Sequence, residues 1–262
     1  MRSTPITVPA SAAAMLAMFL VAAPARAQAP AKAAPTAADW TALAKLPDFT
    51  GVWEVAPGGG GAGRGRGTAQ GPSLTPAAAA KRKELQSLGR EDNQTANCVP
   101  PGMPGIMGQP YPMEFLLTPG KVTIVIEAYT QVRHIYTDGR PLPDDPDLKF
   151  HGTSVGRWEG NALVVDTIGF SPLTDMVANV PHGEQMRIRE RFTLTGPDTM
   201  SIETTVTDPD VLSAPYTTTR VLQRHRSWTI AEYVCQENNR NFVDEKGKAG
   251  IRLDDPAGAP RK

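Results

Sequence analysis

From Met113 onward, apolar and polar residues alternate with a period of two rather than 3.6, in runs rich in Val, Ile, Thr and Tyr. The pattern predicts strands over 113–118, 122–129, 132–137, 153–158, 162–170, 185–195, 199–207, 216–225 and 229–236. Pro119-Gly120, Asp138-Gly139, Gly160-Asn161 and Gly196-Pro197 supply turns between them. With an earlier strand opening at Gly51, this makes about ten short strands and no intervening helices, which argues against a βαβ fold. The expected architecture is all-β: a single antiparallel up-and-down barrel, closed to remove its edges, with short N-terminal helices.

The N-terminal part reads differently. Ala10–Ala23 is an apolar run behind a single basic residue, Arg2, and Ala25-Arg26-Ala27 follows as a small-x-small cleavage pattern. This is the layout of a secretory signal peptide over residues 1–27, too short to span a bilayer comfortably. Residues 28–47 read as an Ala/Pro-rich spacer and a short helix capped by Thr36 or Asp39. The barrel domain is expected over 48–245, interrupted at 57–71 by a glycine-rich loop with nothing to bury. Thr75-Pro76 opens a second helix, cap then proline, running to a stop at Gly89. Residues 246–262 read as an unfolded tail.

Charge and cysteines narrow the class. The chain has 27 basic and 27 acidic residues, and loss of the signal removes two bases and no acid. A near-neutral chain offers no electrostatic reason to bind nucleic acid or an anionic membrane. No later segment is apolar enough for membrane insertion, so a soluble periplasmic or secreted protein is expected. Cys98 and Cys235 are the only cysteines. In an exported chain they read as one disulfide closing a long loop, the alternative being two buried thiols.

Candidate chemistry comes from polar residues inside the strand pattern. In 185–195 the face holding Met186, Ile188, Phe192 and Leu194 also holds Glu190, while Arg187, Arg189 and Arg191 take the other face. A carboxylate on an apolar face must be paired, hydrogen-bonded or protonated. Glu190 therefore reads as a catalytic or ligand-orienting acid, or as a core ion pair with Arg220. Val132, His134 and Tyr136 share a face that ends at Asp138, and Glu127 shares one with Val125 and Tyr129. Glu127, His134, Tyr136, Asp138 and Asp166 are the candidate ligand-binding residues. His182, in a loop before the Glu190 strand, is the candidate acid/base partner.

Other motifs are set aside. The four histidines have no metal-ligand spacing, and Asp144-Asp145-Pro146-Asp147 lacks the alternation of a calcium loop, so neither metal nor cofactor is expected. Gly152-Thr153-Ser154-Val155-Gly156 fits the G-x-S-x-G string, but a hairpin follows where a nucleophile elbow needs a helix.

Asp48–Val55, DFTGVWEV, resembles the Gly-x-Trp opening of lipocalins and related calycin barrels, which implies a Trp plugging the closed end. CVPPGMPGIM, HIYTDGRPLP, GTSVGRWEGNALVVDTIGF and ERFTLTGPDTMSIETTVTDP resemble a widespread family of exported bacterial proteins. That likeness brings no established activity, so no residue role is carried over from it. Three functions remain: binding a small, largely apolar molecule in the barrel, a cofactor-independent isomerase, lyase or hydratase, and a structural periplasmic role.

Overall fold

A run of short strands without helical connections can dispose of its two sheet edges by pairing the first strand with the last. The computed structural model does this. It describes residues 34–56, 71–87, 98–177 and 180–235, with the backbone of Asn241–Val243 and Ala249–Ile251. The expected signal peptide, nearly all of the glycine-rich loop, the expected stop at Gly89 and most of the expected tail lie outside the described residues. All described residues but Ala34 belong to a unit beginning at Pro35.

The strands are β1 (Gly51–Val55), β2 (Met113–Thr118), β3 (Lys121–Ile126), β4 (Gln131–Tyr136), β5 (Thr153–Glu159) and β6 (Ala162–Ile168). After the short β7 (Asp175–Val177) and β8 (Val180–Pro181) come β9 (Arg187–Gly196), β10 (Thr199–Thr207) and β11 (Tyr216–His225). A closed barrel runs β1-β11-β10-β9-β6-β5-β4-β3-β2, so the protein is an all-β, lipocalin-like barrel. β7 and β8 pair separately, as do β12 (Asn241–Val243) and β13 (Ala249–Ile251), the last lying inside the stretch read as a tail.

Nine strands cannot alternate in direction all the way round a ring, because an odd number brings two like directions together. That happens between β4 and β5, which are parallel and share only the positions Ile135↔Ser154 and Tyr136↔Val155. A parallel pair needs a crossover, supplied by 137–152. The tight turns β2–β3, β5–β6 and β9–β10 gather at one end, the turn end. The connections β1–β2, β6–β9 and β10–β11 lie at the other, the loop end, to which the 137–152 crossover returns from the end of β4.

The turn end is stoppered by Trp53, which is fully buried. Its Nε1 donates to the Phe49 carbonyl at 2.9 Å, and its ring meets Phe115 edge-on at 6.4 Å. Phe115 meets Phe192 in turn at 6.1 Å. The Arg224 guanidinium lies 4.5 Å over the Trp53 ring and donates from Nη1 to Asp48 at 2.9 Å. The plugging Trp expected from the Gly-x-Trp opening is present.

At the loop end, Cys98 begins an irregular segment leading into a 3-10 turn, Gly105–Gly108. Met103, Ile106 and Met107 are buried in the barrel core from above. Cys98 is bonded to Cys235 across a separation of 137 residues. Thr229–Gln236, expected as a strand, forms no regular structure over its described residues, 229–235, because β1 already fills the gap between β11 and β2. Residues 226–235 instead run back toward the loop end, where the Ala231 amide donates to Glu127 and the Thr130 hydroxyl to the Tyr233 carbonyl, each at 3.0 Å. β3 also stops short of its expected end. Tyr129 and Thr130 turn the chain with φ of 57° and 50°, a conformation L-residues adopt only under constraint.

Of the helices, α1 (Ala37–Leu43) starts with a capping box between Thr36 and Asp39. α2 (Pro76–Ser87) is anchored where Thr75 donates its amide to the Val211 carbonyl at 2.9 Å.

The stopper is testable. Burial alone would raise the Asp48 carboxyl, but the Thr50 hydroxyl and Arg224 outweigh it and hold it below the usual carboxylate range. A depressed carboxylate contributes stability above its unfolded pKa and loses it as pH falls through the folded value. Arg224→Met should destabilise the barrel by about 2–4 kcal/mol in urea melts at pH 7. The difference between wild type and Asp48→Asn should shrink below pH 4, and a difference that stays constant from pH 7 to 3 would refute this role for Asp48.

Candidate functional site

Closing the barrel sends alternate residues of each strand inward, and most of those are apolar. A polar belt interrupts them. Ser154 on β5 faces Thr167 on β6, and Glu190 on β9 neighbours Thr204 on β10, which neighbours Thr218 on β11. All of these are buried, as is Arg133 on β4. The Arg133 fork grips both Glu190 oxygens, Nη1 at 3.1 Å from Oε1 and Nη2 against Oε2. Nη2 also reaches the Ser154 and Thr167 hydroxyls at 3.3 and 3.2 Å, and those hydroxyls are 2.9 Å apart. Glu190 is therefore inward, as its alternation predicts, and it is an ion-pair member, but its partner is Arg133 rather than Arg220.

Arg220 has no such partner. It is 6% exposed, its Nε makes no hydrogen bond, and among the described residues no carboxylate pairs with it. Burial lowers its pKa, against the pull of Glu190 and Tyr216. The turn Gly105–Gly108 lies directly on it: a Cβ at Gly108 would come within 2.7 Å of the Arg220 Nε. Tyr216, Thr218 and Arg220 occupy alternate positions of β11 and so share its inward face.

His151 completes the belt at the β4–β5 seam. Before Ile135, β4 has no strand partner on the β5 side, and the buried His151 ring faces the Val132 backbone there. Burial, then the Arg133 charge, push the imidazole down to about 4. Among the described residues its Nε2 has no hydrogen-bond partner, and neither has the Nε of Arg133.

The remaining sequence candidates sit elsewhere. Arg133 and Ile135 are the inward residues of β4, so His134 and Tyr136 lie on the opposite, outer face, contrary to the expected parity. His134 contacts the Thr123 hydroxyl at 3.3 Å, and Tyr136 carries the Arg140 guanidinium 3.8 Å over its ring. Asp138 is bonded to Arg140 at 2.7 Å, a turn contact. Glu127 lies beyond the end of β3 and fastens the returning C-terminal segment. Asp166 faces outward between Arg157 and Arg189, 3.1 and 2.7 Å away. These arginines, with Glu159, Arg191, Glu203 and Thr205, line a groove of about 270 Å³ on the outer wall. His182 has both ring nitrogens facing carbonyls, Gly183 at 2.8 Å and Ser171 at 2.9 Å. Its bonds are to the loop, while those of Glu190 are to Arg133, and no contact joins the two as an acid/base pair.

Arg133, Arg220 and His151 are the titratable belt residues that sequence reasoning did not select for the site, and the belt's serine and threonines were not selected either. Arg220 was visible as a basic residue in a strand of inward parity. Nothing local marks the other two. Among the described residues, no group of three or more His, Cys, Asp or Glu side chains is placed to hold a metal ion. No family model matches the chain, and no curated protein matches it in sequence. Among solved structures, it is similar to a crystal structure of a variant of the fluorescent protein UnaG. The identity is 14%, the TM-score 0.32, and the match covers 68% of this chain and 96% of that one. At that score the likeness carries no argument about function.

Two outcomes are expected of the belt. Arg133→Met should cost about 3–5 kcal/mol, because Glu190 is left buried and uncompensated, whereas Arg133→Met with Glu190→Leu should recover most of the loss. Additive single effects in denaturant titrations would refute the coupling. His151, with its folded pKa depressed, contributes stability in full above its unfolded value near 6.5 and loses it as pH falls toward 4, about 3 kcal/mol in all. His151→Gln should flatten the stability profile between pH 6.5 and 4.

Proposed function

We propose that the barrel binds a small, largely apolar molecule in its interior. One observation carries this reading: of the buried side-chain nitrogens without a hydrogen-bond partner among the described residues, three lie together in the belt, the Nε of Arg133, the Nε2 of His151 and the Nε of Arg220. Buried polar groups in native proteins are nearly always satisfied, and an apolar chamber with a few polar groups is the ordinary composition of a ligand site. The loop end, where Met103, Ile106 and Met107 cover the mouth, is the route by which a molecule would reach the belt. The Cys98–Cys235 bond suits the oxidising compartment expected of an exported chain, and no helix among the described residues is long and apolar enough to cross a membrane.

The acid/base alternative has no comparable support. Glu190 already shares both oxygens with Arg133, and His182 is committed to loop carbonyls.

The reading is tested with the disulfide-intact protein and the neutral fluorophore N-phenyl-1-naphthylamine. Saturable binding of one molecule per chain is expected, with a Kd on the order of micromolar and a raised melting temperature. Absence of saturable binding to this probe and to a panel of small apolar compounds would leave the belt as a purely structural network.

A further inference from the structure

The outer wall of β5, β6 and β9 carries one continuous arc of alternating charge. Arg191 donates from Nη1 to Oε2 of Glu159 at 2.8 Å, and Arg157 donates from Nε to Oε1 of the same carboxylate at 2.8 Å. Arg157 Nη1 then meets Oδ2 of Asp166 at 3.1 Å, and Arg189 Nε meets Oδ1 at 2.7 Å. Each of the four carboxylate oxygens thus receives one guanidinium, and both ends of the arc are arginines. Glu159 is held below the usual carboxylate range by Arg191 and Arg157. Burial would raise Asp166, but its bonds to Arg189 and Arg157 outweigh it. The arc surrounds Val164, which faces outward on β6 yet is only 4% exposed.

The two end arginines stand on one face of β9, two residues and so about 7 Å apart, and Glu190 between them points inward. The arc is therefore open at Arg189 and Arg191. A guanidinium has five N–H groups, and each of these two gives one to the arc. Across the opening, β10 places Glu203 beside Arg191 and Thr205 beside Arg189. The groove that these side chains line has a volume of about 270 Å³, room for one monosaccharide-sized molecule.

We propose that this groove is an external binding site, separate from the barrel interior, and that its ligand is a sugar acid. The carboxylate bridges Arg189 and Arg191 and closes the arc into a ring of alternating charge, which suits the planar forks. The sugar hydroxyls donate to Glu203 and meet the Thr205 hydroxyl, and Val164 is an apolar floor beneath the ring. Glu203 repels a compact dianion more strongly than a single charge, so a hydroxylated monoanion is favoured over sulfate. Exposed ion pairs contribute little to stability, and here they hold two guanidiniums in place ahead of the ligand.

The test is an NMR titration of nitrogen-15-labelled wild-type protein with sodium D-glucuronate, read at the backbone amides and the arginine Nε–Hε signals. D-glucose and sodium sulfate are compared at matched low ionic strength. Glucuronate should give saturable shifts confined to β5, β6, β9 and β10, with a Kd on the order of millimolar that weakens at least about threefold in about 0.5 M salt. Glucose and sulfate should each bind at least about fivefold more weakly. Arg189→Gln and Arg191→Gln should each weaken glucuronate binding about fivefold or more, whereas Arg187→Gln, exposed on the same face of β9 but outside the arc, should change it by less than about twofold. Absence of saturable glucuronate shifts, or equal losses from all three substitutions, would overturn the site. Glucose binding as tightly as glucuronate would overturn the role of the arginines, and sulfate binding as tightly would overturn that of the hydroxyls. Displacement of bound N-phenyl-1-naphthylamine by glucuronate would place the acid in the interior and overturn the external assignment. The wild-type comparisons need no variant, so they stand whatever a substitution does to the fold.

Discussion

The Arg133 fork holds the barrel together where its hydrogen-bond ladder is thinnest. Nine strands force one parallel seam, and β4 and β5 meet there at two register positions, against nine between β9 and β10. From β4, Arg133 reaches Ser154 on β5, Thr167 on β6 and Glu190 on β9, spanning the seam with side chains where backbone pairing stops. In water such a pair contributes little. Inside a closed barrel neither partner can turn back to solvent, so the geometry is held by the penalty for breaking it. His151 does the same on a smaller scale, its ring meeting the Val132 backbone where a fifth strand would have paired.

The two ends of the barrel follow from different physics. At the turn end, short hairpins and Trp53 leave no room, and Arg224 binds the entering chain at Asp48 to the last barrel strand. At the loop end, long connections cannot pair with one another and are held by side chains and one covalent bond. Tyr233 packs against Tyr111 and Tyr129, each at 5.3 Å, and burial with these two neighbours pushes its phenol up to about 12. Two residues further on, Cys235 is bonded to Cys98, at the start of the segment that covers the mouth. The C-terminal segment and the cover are thus one mechanical unit, fastened at the β3–β4 corner.

Much of this was legible in the chain, and the failures have particular causes. β9 declared its faces because three arginines alternate with Ile188 and Phe192, so Glu190 could be placed inward from sequence alone. β4 did not, because Val132, His134 and Tyr136 are as apolar on balance as Arg133 and Ile135. What turns Arg133 inward is Glu190, 57 residues away, and no local pattern carries that information. Thr229–Gln236 has the composition of a strand, but composition does not say whether a sheet edge is free to receive it. The cover over the mouth, with Met103, Ile106 and Met107 among prolines and glycines, has no period to read.

Three arginines, 133, 220 and 224, are buried, and their different circumstances separate structure from function. Arg224 is bound to Asp48 and stacked on Trp53, and Arg133 is gripped by Glu190 and two hydroxyls. Each is explained by what it holds together. Arg220 has no ion pair or hydrogen bond among the described residues: it lies against a glycine turn, and Glu190, which pulls on it, is bonded to Arg133. An apolar residue at 220 would pack there without the desolvation penalty, so stability alone gives no reason for a guanidinium at that position. What Arg220 adds is charge: Glu190 is shared between it and Arg133, so the belt carries more positive than negative charge, whereas the other two arginines are consumed by the fold.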